Sequence, residues 1–397
     1  MLLKDLSLIC AVIAFSSVAS AATATTKAKA AAPAPSPSPS QAVPAPIIPL
    51  PPFNGTFANP YPPQFTIAAT NTPLVAQWLK ELNMTAVPNF PVVPFTAGGD
   101  PSNPKAIPAD ACDWTETNCI NKDIIQCPKG VWGLTYDDGP TEFSEQLYNA
   151  LDKTDQKATL FYIGSNVLQN WQAARRACGA GHQIAVHTWS HHPSTSLTNE
   201  QFVAEIKYTE LAIKELCGFT PTYFRPPYGD IDNRIRGLLT QMGYTSVIWD
   251  LDTNDWMMAP GGQRTMAQVD QAFDQWIAAA PKDTTGHICL EHELYQNTVD
   301  AAIANLPRLQ QTWKTMPVSA CVNDPHPYKE HNITLATMNG AVAGVNNNPN
   351  STTGTNTTGG SNTTVPTTAG KKNTAATLTT AGLSTLLAVV VMALSHL

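Results

Sequence analysis

Residues 158–187 read ATLFYIGSNVLQNWQAARRACGAGHQIAVH: a short β-branched and aromatic run, a longer amphipathic run, and a second short apolar run. The outer runs have strand length. The stretch 166–179 between them carries apolar residues on a helical period. A strand, a helix and a strand in so short a span make one crossover unit of a parallel sheet.

The same alternation continues outward in both directions. Upstream lie a strand at 131–136 (VWGLTY) and a helix at 142–152. Downstream come a helix at 198–216, a strand at 222–225, a helix at 231–242, a strand at 245–250 and a helix at 264–280. A strand at 286–291, a helix at 298–315 and a last strand at 317–320 complete the series. Thr198 and Gln201 form a capping box at the start of the 198–216 helix. Gly243 stands where a helix-ending glycine belongs. The strand runs are apolar throughout, as expected when helices cover both faces of a sheet. The expected fold class is α/β with right-handed crossovers, either an open doubly wound sheet or a barrel.

On this map the polar residues cluster. Asp137 and Asp138 end the first strand, His187 the third, Arg225 the fourth, Asp250 and Asp252 the fifth, and His292 the sixth. All fall at carboxyl ends, where such folds build their sites. His187 and His191 are spaced to face one way if their turn is helical. With an aspartate from another strand they make a set of three protein ligands with an open position, the pattern of a catalytic rather than a structural metal site. Asp137 and Asp138 would repel each other unless a cation were present. One bound to metal and one facing water relieves that. His292 is expected on the opposite side of the rim, as a general acid charged by Asp252 or Asp255. Arg225 would keep Asp137 ionised and oriented.

Composition limits the alternatives. The chain has 397 residues, of which 13% are charged, against a usual share near 25%. It carries 33 prolines and a net charge of −7 with no basic run, which excludes a nucleic-acid partner. The prolines and threonines gather outside the alternating region. Residues 1–20 read as a signal peptide. Residues 21–63 are an Ala/Pro/Ser-rich segment and 64–109 an N-terminal extension, within which 73–83 reads as an amphipathic helix. The expected catalytic domain is 110–325, followed by a Thr/Asn/Gly-rich stalk at 326–373. Residues 374–397 form a removable tail with the pattern of a glycosylphosphatidylinositol anchor, attached at Asn373. Glycosylation sequons stand at Asn54, Asn83, Asn332, Asn350, Asn356 and Asn362, all outside 110–325. After signal removal seven cysteines remain, so at least one is free, and Cys289 in the apolar sixth strand is the candidate. A bridge from the Cys112–Cys127 region to Cys321 would close the domain.

With the residues laid out, a resemblance emerges. Thr135-Tyr136-Asp137-Asp138-Gly139-Pro140 resembles the TFDDGP signature of polysaccharide deacetylases, the NodB homology domain of carbohydrate esterase family four. His187-Thr188-Trp189-Ser190-His191, Arg225-Pro226-Pro227-Tyr228-Gly229, Asp252-Thr253-Asn254-Asp255-Trp256 and Leu290-Glu291-His292 resemble its later elements, in family order. The wording of the loops is most similar to fungal, lipid-anchored chitin deacetylases. Tyr136 replaces the usual Phe.

The resemblance implies a distorted (β/α)7 barrel. It implies Asp137 as catalytic base, His292 as general acid tuned by Asp255, and Arg225 orienting Asp137. Asp138, His187 and His191 would bind a divalent metal, Zn²⁺ first and Co²⁺ as an alternative. Tyr228 would lend a backbone N–H to the oxyanion, with Trp256 and Leu290 around the acetyl methyl group. The implied activity is hydrolysis of the N-acetyl groups of chitin to chitosan and acetate, for cell-wall remodelling. The implied setting is a secreted monomer on the outer face of the plasma membrane, held by a lipid anchor and in contact with cell-wall polysaccharide. The rivals are peptidoglycan or xylan as substrate, and a wall-binding protein that keeps the fold without turnover.

Overall fold

A computed structural model describes residues 47–96, 101–102 and 107–334. The signal peptide, the anchor tail, Asn350, Asn356, Asn362 and Asn373 lie outside the described residues. Nine short strands are present among those described. They are β1 (Val131–Gly133), β2 (Thr135–Gly139), β3 (Thr159–Tyr162), β4 (Gln183–Val186), β5 (Tyr223–Phe224), β6 (Thr245–Ser246), β7 (Leu251–Asp252), β8 (His287–Leu290) and β9 (Lys314–Met316). The helices are α1 (Pro73–Lys80), α2 (Trp114–Thr117), α3 (Ser144–Lys153), α4 (Gly164–Gln169), α5 (Trp171–Gly179), α6 (Asn199–Cys217), α7 (Asn233–Met242), α8 (Met266–Ala279), α9 (Gln296–Thr312) and α10 (Val318–Cys321).

Every ladder is parallel, as the apolar strand runs require. One sheet runs β2-β3-β4-β5-β6 and the other β7-β8-β1-β9. The 131–139 run supplies β1 to one sheet and β2 to the other, and the 245–252 run likewise supplies β6 and β7. A single parallel bridge, Asp137 to His292, joins β2 to the end of β8. The two sheets of this parallel α/β fold are thus linked at the end of β2.

Trp132, Tyr136, Phe161, Phe202 and Phe224 fill the core with almost no exposure. The capping box at Thr198–Gln201 and the left-handed Gly243 are both present. Among the described residues three disulfides form, Cys112–Cys119, Cys127–Cys321 and Cys178–Cys217, and the second ties the approach to β1 to α10. Cys289 is free and buried.

Three expectations are corrected. Residues 317–320 are not a strand: the last strand is β9, and α9 stops at Thr312 to release it. Pro317 has no N–H for a ladder, so pairing ends before it and α10 begins after it. The helix expected over 166–179 is two helices broken at Asn170, whose side-chain amide donates to the Pro140 carbonyl at 2.9 Å. The 245–250 strand is likewise split, with Val247–Asp250 between its halves.

The chain before residue 110 is laid on the domain. Ile47 and Ile48 donate backbone N–H groups to the Gly179 carbonyl, and Phe53 meets Trp171 edge-on at 5.2 Å. The expected amphipathic helix is α1, whose Trp78 packs on Tyr208 of α6 at 4.9 Å. At the other end Tyr328 is buried and accepts from the Ile184 N–H at 2.9 Å. Asn54, Asn83 and Asn332 are all exposed. No helix among the described residues is long and apolar enough to cross a membrane.

Candidate active site

The site is built at the end of β2. Successive strand residues point to opposite faces, so adjacent aspartates would normally part company. A register shift between Asp137 and Gly139 breaks the alternation, and Asp138 takes a left-handed φ of 69°. Both carboxylates therefore reach the rim, on different partners. The Asn166 amide supports the strained residue, donating to the Asp138 carbonyl at 2.7 Å. Gly139 admits no side chain, because a Cβ there would collide with the Glu293 carboxylate. Burial, reinforced by Asp137 and Asp138, pushes the Glu293 carboxyl up to about 8 against hydrogen bonds from Ser144 and Tyr148.

Asp137 is bound by Arg225, whose Nη1 donates to its Oδ1 at 2.8 Å and to Thr135 Oγ1 at 2.9 Å. Arg225 is fully buried over the Phe161 ring, 4.4 Å from its centroid. Burial draws its pKa down, opposed by Asp137. Its main chain serves the other half of the site: the His187 Nδ1–H donates to the Arg225 carbonyl at 2.7 Å. A carbonyl only accepts, so Nδ1 carries a hydrogen and Nε2 is the nitrogen turned toward the site.

That Nε2 lies 3.4 Å from Asp138 Oδ1, and His191 Nε2 lies 3.2 Å from the same oxygen. The three ligand atoms are within 4.8 Å of one another. Asp138 Oδ1 is buried without a hydrogen-bond partner. Burial would raise the Asp138 carboxyl, but the His191 and His187 rings outweigh it and hold it well below the usual carboxylate range. Those ring protons and a metal ion compete for the same place: once the Nε2 protons leave, a cation among the three ligand atoms takes over their role. The donor set fits a divalent ion of the Zn²⁺ type. The turn carrying the histidines is not helical: Thr188 and His191 both have positive φ, 62° and 61°. The two rings nonetheless converge, with centroids 5.0 Å apart.

His292 is paired with Asp255, not Asp252. Asp255 Oδ1 meets His292 Nδ1 at 2.7 Å, and Oδ2 accepts the His292 backbone N–H at 2.9 Å. Asp252 instead accepts from the Asn254 N–H. Burial opposes charging the His292 ring, but Asp255, with Asp138 and Asp137 behind it, pushes its pKa up to about 10. His292 is also not across the rim from Asp137. The bridge between them makes them neighbours on adjacent strand ends. Asp250 falls outside the site, since it pairs with His287 at 2.7 Å in the gap between β6 and β7.

Tyr228 and Trp256 are about half exposed, and Leu290 is buried at the end of β8. The Tyr228 ring lies 4.8 Å from that of His191, and its φ is 60°. Tyr295 was not anticipated. Burial, and then the Asp138 charge, raises its phenol. Thr135 and Asn166 were also missed, since a lone Thr in a strand and a lone Asn in a helix carry no signal until their partners are known.

A sequence profile described as polysaccharide deacetylase matches residues 125–247. The chain is 41% identical over 272 residues to a protein named chitin deacetylase 1 from Cryptococcus neoformans var. grubii, covering 65% of this chain and 56% of that one. It is 40% identical over 301 residues to a chitin deacetylase from Amylomyces rouxii, covering 71% of each. It therefore spans just over half the length of the first relative. A solved chitin deacetylase from Colletotrichum lindemuthianum superposes with a TM-score of 0.48 at 27% identity, covering 53% of this chain and 98% of that one.

Proposed function

The chain belongs to the polysaccharide deacetylase family, and from that premise we propose that it hydrolyses the N-acetyl groups of N-acetylglucosamine units in chitin. The observation that carries this reading is the pairing of two acid–base groups beside one ligand set. Asp137 is held by Arg225 and lies against the set Asp138, His187 and His191, and His292, held by Asp255, is bridged to Asp137.

Asp138, His187 and His191 would hold a divalent ion, Zn²⁺ by the borderline character of the set and Co²⁺ as a substitute. Such an ion supplies Lewis acidity toward an amide carbonyl and eases deprotonation of water. Asp137 accepts the proton of the attacking water as the new C–O bond forms. Arg225 fixes the rotamer of that carboxylate and leaves its second oxygen toward the ligand set, 4.0 Å from His187 Nε2. His292 donates its proton to the sugar nitrogen as the C–N bond breaks, so acetate and a free amine leave. Asp255 keeps His292 charged for that step. The Tyr228 backbone N–H is assigned to the developing oxyanion. Trp256 and Leu290 are assigned to the pocket for the acetyl methyl group.

The same reading places residues 1–20 as a signal peptide, 110–325 as the catalytic domain and Asn373 as the lipid attachment site. Asn54, Asn83 and Asn332 are exposed as glycosylation requires. The setting is the outer membrane face and cell wall, with the enzyme acting as a monomer. Acetate release from chitin oligomers, with acetylated xylan and peptidoglycan assayed beside them, tests the substrate. Release from chitin oligomers is the expected result, and release from xylan alone would overturn it.

A further inference from the structure

The loop that carries the two histidines is not self-supporting. Between His187 and His191 there is no helix or strand, and two non-glycine residues are held at positive φ. Its geometry must be fixed from outside. The supports converge on Trp189 and Ser190, the two residues between Thr188 and His191, and several of them come from the chain far upstream.

Trp189 is completely buried. Tyr61 stacks on its ring at 5.7 Å with the planes 5° apart. The Trp189 Nε1–H donates to the Pro63 carbonyl at 3.1 Å. The Trp189 carbonyl accepts from Ser165 Oγ at 2.7 Å, and the same Oγ accepts from the Phe65 N–H at 2.8 Å. Glu205 of α6 closes the arrangement. Its Oε2 accepts from the N–H groups of Trp189 and Ser190 at 2.9 and 2.7 Å, while its Oε1 accepts from the Ala68 N–H at 2.9 Å. Gly164 lets the Trp189 ring come this close, since a Cβ there would lie 2.6 Å from it.

The upstream segment is itself clamped in register. Glu215 accepts from the Ala58 N–H, the Asn59 amide and the Tyr61 hydroxyl. Phe53, Phe57 and Tyr61 follow one another in edge-to-face contact along the helices.

We propose that residues 57–68 are a positioning element of the metal site, holding His187 and His191 at their separation through Trp189 and Glu205. The inference rests on the metal reading above. Without the segment, Trp189 loses its ring partner and its indole acceptor, and Glu205 loses one of its donors. The loop is then free to move the two ligands apart.

The test is Co²⁺ titration of the full chain, followed by the visible absorption of the bound ion. Tyr61→Ala and Glu205→Gln each cut one link. Tyr61→Phe keeps the stack and loses only the hydroxyl. Leu306→Ala in α9 removes core packing elsewhere. Support of ligands from behind is commonly worth about 10- to 100-fold in metal affinity. Tyr61→Ala and Glu205→Gln are therefore expected to weaken Co²⁺ by about that factor. Tyr61→Phe restores near-normal affinity, and Leu306→Ala lowers the melting temperature while leaving affinity unchanged. Wild-type Co²⁺ affinity in either folded cut variant overturns the proposal. A wild-type chain that takes up no Co²⁺ overturns the metal reading and the proposal together.

Discussion

His187 and His292 both follow buried parallel strands, and each has its Nδ1 held at 2.7 Å. What holds it differs. His187 donates to a backbone carbonyl, which fixes the ring and leaves Nε2 as the nitrogen that can serve a metal. His292 faces a carboxylate, which makes the imidazolium the favoured form and gives the rim a proton to donate. Two identical side chains are set to opposite tasks by one neighbour each. The Arg225 residue serves both arrangements, its carbonyl fixing His187 and its guanidinium fixing Asp137.

Removing the base breaks the comparison most severely. Asp137→Asn preserves shape but cannot take a proton, and acetate release should fall by about 10²–10⁴-fold with metal content unchanged. Normal turnover in that variant would take the base role from Asp137. Asp255→Asn turns His292 into something nearer His187. Its pKa falls, so the acid is lost at lower pH, and the alkaline limb of kcat/KM should move down, with a loss smaller than the ~10²–10⁴-fold of removing an acid–base residue itself. An unmoved limb would separate Asp255 from the proton donor.

The smallest effect belongs to a third histidine. His287 lies between Asp250 and Asp283, at 2.7 and 3.0 Å, and the hydrogen bond to Asp250 raises its pKa despite partial burial. A raised folded pKa means stability that is complete below the unfolded value near 6.5 and lost as pH rises through the folded value. His287→Gln should cost at most about 1 kcal/mol at pH 5, after allowance for solvent screening, and less at pH 9. Activity should not change. A pH-independent cost from thermal melts would show that the charge contributes nothing.

Much of this was legible before any coordinates, because local chemistry carried it. Strand runs, the Thr198 capping box and the order of Asp137, His187, Arg225, Asp255 and His292 are written along the chain. What was hidden depends on approach in space. No periodicity places His292 beside Asp137 rather than across from it, since a bridge between distant segments decides that. The bulge that lets Asp138 turn toward the histidines is invisible in a five-residue strand. The segment around Tyr61 was read as a proline-rich stretch. Composition describes how stiff such a stretch is, not what surface it covers.

The central claim is that the rim is a metal-dependent amide hydrolase, and acetate release from chitin oligomers under metal control tests it most directly. Chelator should abolish release, added Zn²⁺ or Co²⁺ should restore it, and Asp138→Asn should respond to neither. Undiminished release in chelator, or full activity in Asp138→Asn, would contradict the account.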